Sequence, residues 1–391
     1  MDLELNDTQR LLTDSIERLL RARSSFTDRQ RILGGPTGWD EGLWQSMAGL
    51  GITALPLDAS LGPVGEAGPD VMLVMQCLGR ALSTEPYLSS CVMAGTAIRL
   101  AASTARRDEL LVRLADGDML ATLVMDDTNR CADTYHSVAA ARHAAGGWTL
   151  RGRERHVLHA ASADLLVVSA RIAESASQPG VFLVPRTTAG VIVTPMRRVD
   201  GMPVGSVTFD GVQLEDDACL AQGGSAAAAL DTAIDHAVAA TVADAAGAME
   251  GALALCIEHA RTRRQFGCAI GEFQVMRHRI ADMRIALEQT RSMALYAACC
   301  LDLSDARHRA AGLSAAKLVL DESARIVAQG AIQLHGGIGM TEEHAIGHYA
   351  RRLIAARGSF GDFDRHAHRL SALGGLARFE HRQPALLEEG R

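Results

Sequence analysis

The second half of the chain, after Gln222, constrains the fold more than any other stretch. Phe273, Met276, Ile280, Met283 and Leu287 recur at alternating steps of three and four, which places them on one face of a helix. Leu313, Ala316, Leu320, Ser323, Val327 and Leu334 keep the same rhythm in the next segment. Helices are expected at about 227–261, 272–303, 307–334 and 342–357. Four long helices joined by short links give an antiparallel bundle.

The preceding sequence has two other textures. Residues 1–117 read as helices: Leu11, Ile16, Leu19 and Leu20 form one stripe, Trp44, Met47 and Leu50 a second, and Asp70 is placed to N-cap a third. Residues 118–222 read as a β-domain. Short apolar runs at 121–125, 148–150, 165–169, 181–184, 191–193 and 206–209 are separated by glycine and proline breakers, with Asp210-Gly211 read as a turn. The bundle takes 223–378, and 379–391 is a polar, non-periodic tail. The expected fold class is therefore α+β: a helical domain, a middle β-domain and a C-terminal four-helix bundle. With 391 residues the chain has room for two or three domains. Its net charge of −7 argues against a nucleic-acid partner. The acidic start MDLELNDTQR is unlike a secretory leader, and no uncharged run reaches the length of a bilayer span, so a cytoplasmic protein is expected. None of the eight cysteines forms C-x-x-C, and all are expected to be reduced thiols.

Between the first two bundle segments lies a cationic turn: Arg261, Arg263, Arg264, then Gln265-Phe266-Gly267. Two arginines and a ring at a helix mouth suit a diphosphate and a flat base. The same residues suit a solvated helix end with Phe266 in the core. Gly336-Gly337, in QLHGGIG, reads equally as a helix C-cap. His344 and His348 lie four apart, but no third ligand accompanies them, so no metal site is expected. His366 and His368 are expected to be solvated. There is no G-x-S-x-G, P-loop or G-x-G-x-x-G motif.

The pattern R-x-x-F-G, followed by Ile270, Phe273-Gln274 and Ala281-Asp282-Met283, resembles the C-terminal domain of the acyl-CoA dehydrogenase family. Gln333-Leu334-His335-Gly336-Gly337-Ile338-Gly339 resembles its second signature, Q-x-x-G-G-x-G. The resemblance covers nearly the whole chain and is strongest from 237 to 373. It implies FAD as cofactor, lying between the β-domain of one subunit and the bundle of another. Arg263 would then meet the diphosphate and Phe266 the adenosine. Gln274 and Gln333 would hydrogen-bond across the dimer, and Gly336 and Gly337 would admit the cofactor to the backbone. Asp362 and Asp364 stand where relatives carry uncharged flavin contacts, so neither is assigned to the site. Leu158 stands where a flavin-contacting threonine is common.

The family reaction needs a carboxylate to take the α-proton of an acyl thioester. One family position for it corresponds to Phe360, before Gly361, and the other to Ala237. Neither is acidic, so no catalytic residue is assigned. In this the chain is similar to the base-lacking small subunits of bacterial heteromeric acyl-CoA dehydrogenases acting on steroid side chains or pimeloyl-type acyl-CoAs. That resemblance implies a paralogous partner supplying the glutamate, an acyl-CoA substrate and an electron-transfer flavoprotein as acceptor. Two alternatives stay open: a self-sufficient enzyme using Asp235 or Asp244, and a non-catalytic scaffold.

Overall fold

The computed structural model describes residues 5–57, 67–125, 138–143, 146–173 and 178–375. The tail from 379, Cys131 and part of the 122–129 segment lie outside them. The N-terminal layer holds α1 (Asp7–Arg23), α2 (Phe26–Gly34), α3 (Glu41–Gly49), α4 (Ala67–Arg80), α5 (Gly95–Ala101) and α6 (Thr104–Ala115). A π-helical turn, Tyr87–Ala94, leads into α5. Asn6 and Gln9 close a reciprocal capping box on α1. Ile16 and Leu20 face the core, whereas Leu11 is exposed. Asp70 is not the cap expected of it. Helix α4 starts at Ala67, and buried Asp70 accepts a hydrogen bond from Gln9 Nε2 at 3.0 Å, tying α4 to α1.

The middle sheet contains β1 (Ala121–Val124), β2 (Val138–Arg142), β3 (Trp148–Leu158), β4 (Leu165–Ile172), β5 (Pro179–Pro185), β6 (Val191–Arg197), β7 (Pro203–Leu214) and β8 (Cys219–Gln222). Their order is β6-β7-β3-β2-β4-β5-β8, with β1 pairing β4 in parallel. Two strands outrun the sequence reading. Strand β3 continues past Leu150 through Arg151-Gly152-Arg153, whose arginines point to solvent. Asp210-Gly211 is a bulge inside β7 and not a turn: Leu150 pairs with Val212 and Arg151 with Asp210, leaving Gly211 over at φ 65°. Trp148 and Phe182 meet edge to face at 5.2 Å in the sheet's own core.

The C-terminal bundle comprises α7 (Gly223–Thr262), α8 (Gln274–Cys300), α9 (Ala306–His335) and α10 (Ala345–Gly358). A fifth helix, α11 (Phe363–Ala372), was not expected; Asp362 caps it through Arg365 N. It buries His366, against the solvated position expected, between Ser314 Oγ and the Phe360 carbonyl. Helix α7 is long and apolar enough to cross a membrane, which the sequence reading did not find, but 78% of that window is buried inside the fold. Its alanines are used for close packing. The seven described cysteines are free thiols.

N-terminal helices and bundle share one apolar core, and α4 and α7 cross in close backbone contact. A Cβ on Gly247 would lie 1.9 Å from the Gln76 carbonyl oxygen, and one on Gly79 2.0 Å from that of Asp244. Both obstacles are backbone, so the helices would have to part. Gly247→Ala should therefore cost about 3 kcal/mol, at the upper end of overpacking effects. Gly224→Ala, whose Cβ would meet nothing within 4 Å, should leave the urea midpoint unchanged. Equal midpoints for the two variants would refute this packing.

Candidate functional site

The residues expected to hold a cofactor gather at one end of the bundle. Helix α7 ends at Thr262, α8 begins at Gln274 and α9 ends at His335. Packed antiparallel, these three put the end of the first, the start of the second and the end of the third together. His259 on α7 and His335 on α9 stack there at 4.4 Å, which fixes the proximity directly. Burial pushes the His335 imidazole down to about 4, so it is neutral near pH 7.

Arg263 ends α7, and Arg264–Gln265 pairs with Cys268–Ala269 in a two-residue hairpin. Arg264 thus lies on a strand. Phe266 and Gly267 form the hairpin tip with φ of 55° and 85°, as a type I′ turn requires. Glycine suits such a turn, but an aromatic residue there is uncommon and strained. Phe266 is not core: it is 91% exposed, resting edge-on against Phe273 at 6.1 Å. Phe273, expected on the buried stripe, is itself partly exposed as the residue that opens α8. Arg263, Arg264, Gln274, Gln333, Gly336 and Gly337 are all exposed. Among the described residues neither arginine has an ion-pair partner. Gly336 stops α9 at φ 64°, ψ −140°, which demands glycine. Gly337 has no such need, and a Cβ on either glycine would meet nothing within 4 Å. Cations, an open backbone and a presented ring are what a diphosphate and a base require, so these residues fit FAD held from outside the chain.

A second site lies inside. Ser359-Phe360-Gly361 follows α10, with Phe360 at φ 57° and almost fully buried. Lys317 Nζ donates to the carbonyls of Ala356 at 2.7 Å and Ser359 at 2.8 Å, and so fixes the end of α10. Phe360, Leu158 and Thr241 help to enclose a chamber of about 40 Å³. Much of its wall is charged. Arg352 is bidentate to Asp244 at 2.8 and 2.7 Å and reaches Asp200 at 3.3 Å. Arg198 is bidentate to Asp200 at 2.8 and 2.7 Å. Burial opposes ionisation of Asp200, but Arg198 and then Arg352 hold it well below the usual carboxylate range. Burial also opposes the charge on Arg352, yet Asp244 and Asp200 raise its pKa above the ordinary arginine value.

The sequence matches the acyl-CoA dehydrogenase middle domain over residues 126–212 and the C-terminal domain over 219–368. The chain belongs to the acyl-CoA dehydrogenase family. It is 26% identical over 327 residues to an L-prolyl-[peptidyl-carrier protein] dehydrogenase of Serratia sp., spanning 81% of this chain and 83% of the relative. Its fold is similar to that of the Tcur3481–Tcur3483 steroid ACAD: TM-score 0.83, 25% identity, 96% of this chain and 99% of that one. It is also similar to PigA solved with FAD and proline: TM-score 0.83, 22% identity, 96% and 99%.

For an acyl-CoA dehydrogenase, neither family position for the base holds a proton acceptor. Phe360 and Ala237 are buried hydrocarbon. Asp235 is buried but pairs with Arg309 at 2.9 Å and lies at 3.6 Å from Arg369. Asp244 lines the chamber, but Arg352 occupies both of its oxygens. Asp362 and Asp364 belong to the start of α11. His344 is not in a helical pair with His348: its ring caps α10, accepting from Ile346 N at 3.1 Å, while buried His348 sits within the helix.

Sequence reasoning missed Glu85. It is the only charged residue between Arg80 and Arg99, and that isolation was the available signal. It lines the chamber with Tyr87, whose hydroxyl is buried without a hydrogen-bond partner among the described residues. Burial raises the Glu85 carboxyl to about 7, against hydrogen bonds from its own and the Asp40 amide. Ser83 Oγ also donates to it. A carboxyl raised in the folded state favours folding while protonated, below its unfolded value near 4.5. That advantage is lost as pH rises to about 7. Glu85→Gln should therefore gain about 2–3 kcal/mol relative to wild type between pH 5 and pH 8. Parallel stability–pH curves from urea denaturation would show that Glu85 is not held protonated.

Proposed function

We propose that this chain is the base-lacking subunit of a two-component, FAD-dependent acyl-CoA dehydrogenase, with the catalytic glutamate supplied by a paralogous partner. One observation carries the reading: Phe360 and Ala237 fill both family positions for the base, and Asp235 and Asp244, the two alternative candidates on α7, are committed to arginines, while the remaining chamber carboxyl, Glu85, stands at neither family position. The similarity to the Tcur3481–Tcur3483 steroid ACAD, a pair of components by its name, supports it. The acyl group could be steroidal or dicarboxylic, electrons would pass to an electron-transfer flavoprotein, and the location would be cytoplasmic.

FAD, bound between two chains, would accept the β-hydride of the thioester. This chain's residues have a holding role. Arg263 would neutralise the diphosphate, and Phe266 would stack against the adenosine. Gln274 and Gln333 would bond across the interface, and Gly336-Gly337 would let the cofactor lie against the backbone. The exposure of all six fits a lip completed only on association. An apolar groove of about 710 Å³ beside the lip, lined by Leu253, Ile257 and Ile280, leaves further surface for a neighbour.

The purified assembly should be yellow and release FAD on denaturation. Arg263→Ala should weaken FAD binding by about 2–4 kcal/mol, the cost of truncating a charge-assisted contact at an interface. Equal loss from Arg264→Ala would mean that the wrong arginine is assigned. In an anaerobic acyl-CoA titration the isolated, FAD-loaded chain should not bleach. The paired chains should bleach, and only while the partner keeps its glutamate. Stoichiometric bleaching by this chain alone would refute the reading and favour a self-sufficient enzyme.

A further inference from the structure

We infer that Arg352 is a specificity residue that seals this chain's own acyl chamber, so that the assembly takes its acyl group in the partner chain alone. The inference rests on the two-component reading above and says which half of the pair binds substrate. Loss of a base would stop chemistry without stopping binding. The structure shows a further step: the space itself is filled.

The chamber under Phe360 and Leu158 amounts to about 40 Å³. That is room for a few waters, whereas pockets for small organic ligands run roughly 300–1,000 Å³. What takes up the room is not a mobile flap. Arg352 projects from α10 and is held by Asp244 of α7, by Asp200 between β6 and β7, and by the Ser83 carbonyl at 3.3 Å, beyond α4. Arg29 reaches the same place from α2, donating to the carbonyls of Leu82 and, at 2.6 Å, Asp200. Burial, then repulsion from Arg352, brings the Arg29 guanidinium down to about 10, and it stays charged near neutrality.

An acyl chain entering here would have to displace a guanidinium from two carboxylates and leave those buried charges short of their partners, which is strongly unfavourable. The Phe360 ring closes the side where the family carries its base. Arg352 and Asp244 are thus the pair whose removal should make room, because their side chains fill space that Phe360 alone does not.

The probe is decanoyl-CoA carrying a diazirine on its acyl chain. It is photolysed with the purified protein, together with the partner where one co-purifies, and the labelled peptides are mapped by mass spectrometry. Excess unlabelled decanoyl-CoA defines specific labelling. In the unaltered protein, peptides carrying Met75, Leu88 and Phe360 should show none. In Arg352→Ala/Asp244→Ala, which opens the chamber without leaving either charge behind, the same peptides should become labelled. If that variant does not fold, Arg352→Leu/Asp244→Leu removes the charges with less loss of packing and is read in the same way. Specific labelling of these peptides in the unaltered protein would overturn the inference. So would a folded variant that stays unlabelled, since the pair would then not be the seal. Failure of the partner to restore flavin bleaching would refute the two-component reading separately, and the labelling comparison within this chain would still stand.

Discussion

The buried contact of Arg352 with Asp244 and Asp200 is what the rest of the structure depends on. These three side chains come from α10, α7 and the segment between β6 and β7, so they join the bundle to the sheet. Arg29 and the Ser83 carbonyl bring in the N-terminal helices. Each charge is costly to bury alone and tolerable only with the others in place. The cluster therefore specifies how the three layers sit, whatever its net contribution to stability. Apolar packing would hold the layers together without choosing one arrangement so sharply.

The cluster also explains why the two candidate sites differ in character. The chamber is buried, charged and, apart from the Tyr87 hydroxyl, internally hydrogen-bonded among the described residues. The lip at the end of α7 and α9 is the opposite. It presents Phe266 on a strained turn, unpaired arginines and two open glycines to solvent. An aromatic ring exposed on a strained turn is the kind of feature that clusters at recognition sites. One candidate site is shut within the chain, and the other faces solvent.

The bundle was legible in the sequence because its stripes repeat over many turns, and the exposed lip was marked by two short blocks, Arg263 to Gln274 and Gln333 to Gly337. Phe266 was legible as a residue but not in its setting, since periodicity does not distinguish a core ring from one on a hairpin tip. The β-domain was harder to read. Strand β3 passes through Arg151, Arg153 and Arg155, which look like a loop until alternation against β7 is visible. The chamber was hardest. Arg352, Asp244, Asp200 and Arg29 are separated by over a hundred residues in places, and nothing in the sequence links them, although Asp244 stood out as an alternative base. Only the fold brings them together, and only burial shows that Glu85 and Lys317 are not solvated.

The most direct test is a double-mutant cycle on Arg352 and Asp244, read by urea denaturation. Arg352→Met and Asp244→Leu should each cost about 3–5 kcal/mol by stranding a buried charge. The double variant should recover much of that loss, with Asp200 still held by Arg198, giving a coupling of about 2–3 kcal/mol. Losses that simply add would show that the pair is not the link between the layers, and the account built on it would fail.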